Sequence, residues 1–562
     1  MAGIWSPAAW CKASADDART IAIRKSRCRR AAFMVGTRSI QLIVECSAMQ
    51  FTQSPSVAPN PNETMPLAAI VSFATDAPSR AVFAVSGGGH SWTVETDDAA
   101  TEHSQALLGL AVGTDYEITV SARDDAGNMV AADAPLHFTT PPLPDDFPPL
   151  DIQLCEPAAR EPATMIFPVG HHPLAKVEKH VNYLVGIDQH GDIVWHREMP
   201  GQVQDVQRLA NGNLLWLTGN FILNELDMLG NQVGRWYPLH HKDNPPPDGV
   251  AIETQSIHHS IAEMPSGNIV VLSHETTDFD DYPTDDSDPD APKETRPIIG
   301  DTIVEFTRDG EIVRDIKLFD LLDPYRIGYG LNDPFWHMRG YEGGVDWAHA
   351  NGIAYDASDN SYLVSVRHQD ALIKVDRETG DLKWILGTHA NWGERWRDLL
   401  LTPDDGLEWQ YHQHDPSVTH EGTFMVFDNG NNRAVPFEPK TPPGKNHSRA
   451  VEFAVDPATM AVEQIWSYGD GGEDPIYANF VSGAYRLPDT GNVFVTFGGV
   501  ITDPDGKPSA NMREHQVSAR MVEVTHTTPA KKVFEMVIKD MSDDPVSFMA
   551  FRSERVPDLR QS

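Results

Sequence analysis

The chain has 562 residues, 40% hydrophobic and 22% charged, an ordinary globular composition that is long enough to bury a sizeable core. Its 81 acidic and 44 basic residues leave a net charge of −37. That charge argues against nucleic acid, where Lys and Arg must neutralise phosphates, and against an anionic membrane surface. No window approaches the roughly 18–20 uncharged apolar residues of a membrane-spanning helix.

Residues 1–48 carry three of the four cysteines, Cys11, Cys28 and Cys46, and an Arg-rich, acid-poor stretch. They lack the long apolar run of a secretory signal. They read as a disordered leader: either a transit-like presequence or an untidy extension before a natural start at Met49. Only Cys155 lies in the body of the chain, which excludes a disulfide framework or a Cys-based zinc site there. Residues 49–140 hold strand-like runs at 68–74, 81–86, 91–96, 106–110, 116–123 and 136–139, separated by Gly, Asp and Pro turns. The segment 124–128 (DDAGN) has hairpin chemistry, since Gly and Asn tolerate positive φ. This pattern predicts a small fibronectin/immunoglobulin-like β-sandwich. The Pro-rich stretch 141–150 then predicts a stiff linker.

From 151 to 562 the chain repeats itself. Strand–turn–strand hairpins with a central Asp/Gly turn recur at 183–198, 222–237, 302–319, 371–387, 449–469 and 520–538. A second hairpin, built around a Gly-Asn-like turn, recurs at 206–217, 261–272, 353–366, 416–427 and 484–497. Two hairpins make four strands per unit, which is the construction of a propeller blade. The prediction is an all-β chain with a six-bladed β-propeller after the sandwich. The strand-like piece 546–552 is expected to pair into the first blade and close the ring.

Aligned on the Gly-Asn turns, His259 and His414 fall at one position, and Asn351 takes that place in the fourth unit, with His349 two residues before it. Residues i and i+2 of a strand share a side, so three successive blades would bring His259, His349, Asn351 and His414 to one end of the channel. Folding the hairpins places Arg367 opposite His349 and Asn351, and Asp428 opposite His414, where it would orient the imidazole. A guanidinium fork suits a tetrahedral oxyanion. A neutral imidazole can serve as nucleophile, base or metal ligand. No phosphate-cradling loop, G-x-S-x-G or H-E-x-x-H motif occurs.

Residues 413–433 (QHDPSVTHEGTFMVFDNGNNR), 346–351 (DWAHAN), 365–369 (SVRHQ) and 258–268 (HHSIAEMPSGN) resemble motifs of the bacterial-type aryl-sulfate sulfotransferase family. That family also places a β-sandwich before a six-bladed propeller. The resemblance implies ping-pong transfer of a sulfuryl group from a phenolic sulfate to a phenol, without a nucleotide sulfate donor. By motif, His414 would become the sulfohistidine, and His259, His349, Asn351 and Arg367 would hold the sulfuryl oxygens. One of those histidines would also exchange a proton with the phenol. The family's threonine in the last blade aligns with Val481, with Ser482 beside it as a substitute. His258 would take the place of His259 if the strand start is bulged. Some members carry a disulfide just before the nucleophile; residues 389–413 contain no cysteine. Members are often exported, and no signal peptide is readable here.

The expected partners are small phenolic sulfates and phenols, with no nucleic acid, no membrane and no cofactor; a homodimer is allowed for. Two other readings stand beside the transferase. One is a metal-dependent propeller hydrolase that uses the same histidines as ligands; the other is a non-catalytic propeller scaffold. Trp347, Trp384, Trp392, Trp396 and Trp409 read as blade core or as the wall of an aryl pocket. The acidic loop 278–290 lacks calcium-loop spacing and reads as solvated.

Overall fold

A computed structural model describes residues 49–240, 246–470 and 475–561. The leader expected over 1–48 lies outside the described residues. The rest is a succession of β-sheets, and among the described residues no helix is long and apolar enough to cross a membrane.

The first sheet system is built on one 19-residue strand, Ala69–Gly87. Its first half pairs with Phe51–Pro59 and Ala100–Leu107, its second half with His90–Glu95 and Asp115–Arg123. Met129–Ala131 and Leu136–Thr139 complete it along Asp115–Arg123. Alternating inward residues, including Val71, Phe73, Phe83, Val85, Ile118 and Val120, form its core. The two runs expected at 68–74 and 81–86 are thus one strand, shared between two sets of partners, with a register shift between Ala74 and Ser79. The polar tract between the runs looks like a turn in sequence, but it continues the strand. The hairpin turn at 124–128 forms as expected: Asp124 N–H donates to Asn128 O and Gly127 N–H to Asp124 O.

Six further sheets follow in chain order, and the hairpins read from the repeat are among theirs. The second is Val203–Arg208, Leu214–Thr218, Leu223–Leu226 and Gln232–Pro238. The third is His258–Glu263, Ile269–Pro283, Lys293–Phe306 and Ile312–Lys317. The fourth is Ala350–Asp356, Ser361–Val366, Ala371–Asp376 and Leu382–Gly387. The fifth is His414–Val418, Phe424–Asp428, Arg449–Asp456 and Ala461–Tyr468. The sixth is Gly483–Arg486, Val493–Thr502, Gln516–Val524 and Lys532–Ile538. The leading strands of sheets two to six touch one another in succession.

The first of the six has two strands of its own hairpin, Asn182–Ile187 and Ile193–Glu198, beside Ala163–His171. The chain's last strands, Phe548–Ala550 and Glu554–Pro557, pair onto Ala163–His171, as expected for 546–552. Leu150–Cys155, just after the Pro-rich stretch, pairs instead onto Lys532–Ile538 of the sixth sheet. The two ends of this region therefore each complete a sheet made by the other end.

The turn chemistry explains the repeat. Asp188 Oδ1 accepts from the His190 and Asp192 N–H groups, and Asp227 Oδ1 from Leu229 and Asn231. Gly191 and Gly230 supply the positive φ that closes those turns. In the fourth sheet the same turn has Asp376 Oδ1 accepting from the Glu378 and Thr379 N–H groups and Gly380 at φ 76°.

The C-terminal strand packs close to the sixth sheet. A Cβ at Gly498 would lie 1.9 Å from Ala550 O, whereas one at Gly201 meets nothing. Gly498→Ala is expected to cost about 1–3 kcal/mol, read as a lower urea midpoint, while Gly201→Ala leaves the midpoint in place.

Candidate active site

The inner strands of sheets three to six do not begin as regular strands. In the third, His258 pairs with Leu272 but the next pair is Ile261 with Val271, so His259 (φ 58°) and Ser260 are bulged out. In the fourth, Ala350 pairs with Val366 and Gly352 with Ser365, which bulges Asn351 just after His349 (φ 49°). In the fifth, His414 pairs with Phe427 and Ser417 with Met425, with Asp415 at φ 56°. Val481 (φ 48°) and Ser482 (φ 90°) precede the sixth. Such bulges re-aim side chains, and left-handed residues of this kind concentrate where function requires them.

They gather the expected imidazoles. The rings of His259 and His349 lie 4.8 Å apart, and those of His349 and His368 4.6 Å apart. His414 is close enough to feel the charges of Arg367 and Arg552, and its own charge bears on His259, His349 and His368. All four imidazoles, Asn351 and Arg367 are buried. Arg367 N–H donates to His349 O at 3.2 Å, as the hairpin arithmetic expects. Arg367 Nη1 donates to His368 Nε2 at 2.7 Å, while its Nε is buried without a partner. Asn351 gives one amide N–H to Gln413 O, and its Oδ1 is buried and unpartnered.

Neighbouring groups fix the tautomers. Asn429 Nδ2 donates to Ala478 O and Val481 O, so its Oδ1 faces His414 as an acceptor at 2.6 Å. His414 Nδ1 must carry the proton, and a neutral His414 keeps its lone pair on Nε2. His258 Nε2 faces Ser273 O at 3.1 Å and Asp301 at 3.3 Å, both acceptors. Neutral His258 therefore accepts at Nδ1 from His259 Nδ1, 2.9 Å away, and His259 also keeps its lone pair on Nε2. His349 Nδ1 lies 2.6 Å from Asp346 Oδ2. Burial and the carboxylates of Asp333 and Asp301 push Asp346 well up, and burial and neighbouring cations push His349 well down. The pair then shares its bridging proton without net charge. Burial, Arg367 and Arg552 also hold His414 well below the usual imidazole range.

Three expectations need correction. Asp428 does not orient His414: its carboxylate accepts from Tyr411 N–H and Arg449 Nε, with Arg433 at 3.2 Å. The bulge at Asp415 shifts the register by one residue, which hands that role to Asn429. His258 does not face the cluster in place of His259; it lies fully buried behind it. The Ser482 hydroxyl is taken up by backbone, accepting from Gly498 N–H and donating to Phe480 O, because the left-handed turn rolls it onto the neighbouring strand. The tryptophans follow the core reading rather than the pocket one: Trp347, Trp384 and Trp396 are buried in hydrophobic clusters, Trp392 and Trp409 pack against two of these clusters, and Trp347 stacks on Phe319. The wall is Phe335, stacked on His259 at 4.5 Å and 5.0 Å from His349, with Trp336 behind it against His258.

Phe335 and Trp336 sit in the long connection between the third and fourth sheets, outside the repeat, so periodicity gives no signal for them. His368, Asn429 and Asp346 lie within the quoted motifs, but spacing alone does not single them out. Arg552 has no signal at all.

Asp346, His349 and His368 are the one group, among the described residues, with the spacing to hold a metal ion. Both nitrogens of His368 are already engaged, Nδ1 by Asp346 O and Nε2 by Arg367. A guanidinium beside the group also disfavours a cation. The acidic stretch 278–290, expected as a loop, continues the strand Ile269–Pro283 for its first six residues; in the turn that follows, Asp285 caps the Ser287 and Asp288 N–H groups and Asp286 accepts from Gly330 N–H, so those carboxylates serve the turn. A cavity of about 970 Å³ opens at the turn end of the same inner strands, lined by Glu263, Met264, Thr419, Asp415 and Arg552.

Nine imidazoles are held below their ordinary range by burial and neighbouring charge. The unfolded chain protonates these near pH 6.5 and the native chain does not. Five raised carboxyls, Asp205, Asp315, Asp346, Asp415 and Glu554, act in the opposite sense. The imidazoles outnumber them, so below pH 6.5 stability falls as the pH drops toward 5. The slope is about 1.4 kcal/mol per pH unit for each proton in excess. Urea unfolding at pH 7.0 and 5.5 measures this, and equal or greater stability at 5.5 would contradict it.

The model of the arylsulfotransferase (ASST) family matches residues 157–546. Arylsulfate sulfotransferase AssT of Escherichia coli O6:H1 is 28% identical over 284 residues, 43% of this chain and 45% of that protein. AssT of Lelliottia amnigena is 27% identical over 252 residues, 38% and 42% of the two chains. The chain thus spans under half the length of the curated relatives it matches. A crystal structure of a protein of unknown function from Bacteroides caccae covers 70% of this chain and 99% of its own at 11% identity and a TM-score of 0.37, a likeness too slight to bear on the fold. On the family match, which takes in all four histidine-bearing motifs, the chain belongs to the arylsulfotransferase family.

Proposed function

We propose that the chain is an aryl-sulfate sulfotransferase that works by ping-pong transfer through a sulfohistidine at His414, in a six-bladed β-propeller (151–562) preceded by a β-sandwich (49–140) and a linker (141–150). The propeller reading is supported by six sheets in chain order, leading strands that touch in succession, and end strands that complete each other's sheets. The sandwich reading is supported by the long strand that serves two sets of partners.

The observation that carries the chemistry is the Asn429–His414 hydrogen bond, which leaves a lone pair on His414 Nε2 beside Arg367. In the first half-reaction Nε2 attacks the sulfur of the aryl sulfate. An N–S bond forms, the S–O(aryl) bond breaks, and its electron pair leaves with the phenolate oxygen. His349, whose Nδ1 side is held by Asp346, gives that oxygen its Nε2 proton. Arg367, with its unpartnered Nε, and the Asn351 amide meet the sulfuryl oxygens as charge develops. In the second half-reaction His259 Nε2 or the deprotonated His349 takes the proton of an acceptor phenol. The phenol oxygen bonds to sulfur, and the N–S electron pair returns to His414. Phenols would stack against Phe335.

A metal-dependent hydrolase remains the second reading, because Asp346, His349 and His368 lie close enough to share an ion. The test is 4-nitrophenol release from 4-nitrophenyl sulfate in chelator, with and without phenol. Phenol-dependent release, with one sulfuryl group found on the His414 peptide in the absence of acceptor, is expected. Activity should fall more than about 10³-fold in His414→Asn and roughly 10²-fold in Asn429→Leu, which frees the tautomer. Release that requires added metal would favour the hydrolase. Full activity in His414→Asn would overturn the sulfohistidine.

A further inference from the structure

We propose that Arg552, in the C-terminal tail beyond the family match, is the positioning residue that locks the histidine-bearing strands into their working geometry; this rests on the transferase reading above. Its guanidinium is buried and reaches four inner strands at once. Nη2 donates to His259 O and to Asn351 O, both at 3.1 Å. Nη1 donates to Asp415 Oδ1 at 2.9 Å and lies 3.5 Å from Ser260 Oγ. Nε lies 3.5 Å from Asp205 Oδ1 on the inner strand of the second sheet.

The two carbonyls are those that the strand breaks displace. His259 and Asn351 are the bulged residues of their strands, skipped in the ladder between His258 and Ile261 and between Ala350 and Gly352. A buried carbonyl released from a ladder needs another donor. Arg552 supplies one donor group to both, and so ties the bulge that aims His259 to the bulge beside His349. The Asp415 carboxylate, one residue past His414, brings the third strand into the same clamp. Lys could not replace this fork, because an ammonium offers three donors around one point, whereas five N–H groups fan out in a plane here.

The clamp also sets charge. Arg552 helps to hold both His414 and His259 unprotonated. Other cations acting on these two rings are Arg367 on His414 and Arg339 on His259, and the neighbouring imidazoles are His258, His349, His368 and His412. Opposing them are Asp346, with Asp333 and Asp301 beside it, and Asp205, Asp415 and Glu554 around Arg552 itself. The clamp therefore does two separable things: its shape aims the rings and its charge keeps them neutral.

Arg552→Lys and Arg552→Ala separate them. Arg552→Lys keeps the charge and loses the fork. It is expected to lower kcat about 10²-fold with KM within about threefold of wild type, and to leave the acid limb of the kcat/KM profile in place. Arg552→Ala is expected to lose as much kcat and to move that limb to higher pH, with partial recovery on adding guanidinium ion. Histidine-directed acylation by diethyl pyrocarbonate, read at the His414 and His259 peptides across pH 5–8, follows the neutral fraction without requiring turnover. Its acid limb should rise in Arg552→Ala and not in Arg552→Lys. Variants that lose only thermal stability, with kcat, pH profile and labelling unchanged, would overturn the proposal. If Arg552→Ala does not fold, the kcat of Arg552→Lys decides. A wild-type protein inert toward aryl sulfates would sink the transferase reading, while the labelling profiles would still uphold or refute the clamp.

Discussion

A buried carboxylate on the third strand of a sheet, holding its own inner hairpin with one oxygen and a cation of the next sheet with the other, is the contact on which the assembly leans. Glu225 accepts from Asn211 and Asn213 of its own inner turn and pairs with Arg308 of the third sheet. Glu305 accepts from Asn268 and pairs with Arg377 of the fourth. Glu452 accepts from Thr423 and pairs with Arg486 and His526 of the sixth. Glu523 accepts from Asn492 and pairs with Arg160, which leads into the first. The fourth sheet inverts the sign, with Lys374 held by Asp356 and Asp359. A buried ion pair adds little net stability, but losing one partner strands a charge and is strongly destabilising. A repeated pair of this kind therefore selects which sheet sits next to which. It also explains the polar residue in the Gly-Asn turns, which is there to hold the carboxylate.

With neighbours fixed from the rim, the inner ends of the strands are free to be irregular. A regular ladder would direct the side chains of positions 259, 351 and 414 by simple alternation. The bulges replace that alternation with left-handed turns that bring His259 and His349 within van der Waals reach of Phe335. Each bulge leaves backbone groups without ladder partners, and polar side chains absorb them. Asp205 accepts from Ile261 N–H, Asp301 from Ala350 N–H, and Ser260 from Ile353 N–H. The placing of the imidazoles and the pairing of backbone polar groups are thus solved by the same residues, which is why the centre of the molecule is polar although buried.

How much of this is legible in the sequence follows from periodicity. The hairpins of the repeat could be read, because polar turns, mostly Asp/Gly and Gly-Asn, sit between alternating apolar residues, whereas the outer half of the long hairpin Ile269–Phe306 could not, because its acidic stretch 278–283 shows no such alternation. His259, His349, Asn351, Arg367 and His414 were within reach for the same reason. A bulge, however, inserts a residue without changing composition. Counting across the fifth-sheet hairpin therefore lands on Asp428, while the extra residue at Asp415 puts Phe427 opposite His414 and brings Asn429 to its Nδ1. The long connection that supplies Phe335 and the tail that supplies Arg552 have no repeat to be read against. In sequence the strand Ala69–Gly87 reads as two because 75–80 resembles a turn; in the structure Thr75 still pairs with Phe51, Asp76 N–H reaches Gln50 O and pairing resumes at Ser79 and Arg80.

The electrostatics of the cluster lead to one further step. A nucleophilic imidazole must stay unprotonated, and a sulfate ester is an anion; these demands usually conflict, since carboxylates that would orient an imidazole also repel the substrate. Here the group that orients His414 is an amide, which fixes the tautomer without adding negative charge. The carboxylate nearest the cluster, Asp346, is pushed well up by burial and by its neighbours Asp333 and Asp301. Arg367 then serves both demands: its charge suppresses protonation of His414, His349 and His368, and its unsatisfied Nε is available to an anion. Asp333 lies 3.9 Å from Arg367 Nη1 at the partly exposed edge of the cluster, and for the transfer proposed above the substrate's own charge would meet the guanidinium on its Nε side. An Asp at position 429 would add negative charge beside His414 and lose the amide N–H groups that Asn429 gives to Ala478 O and Val481 O.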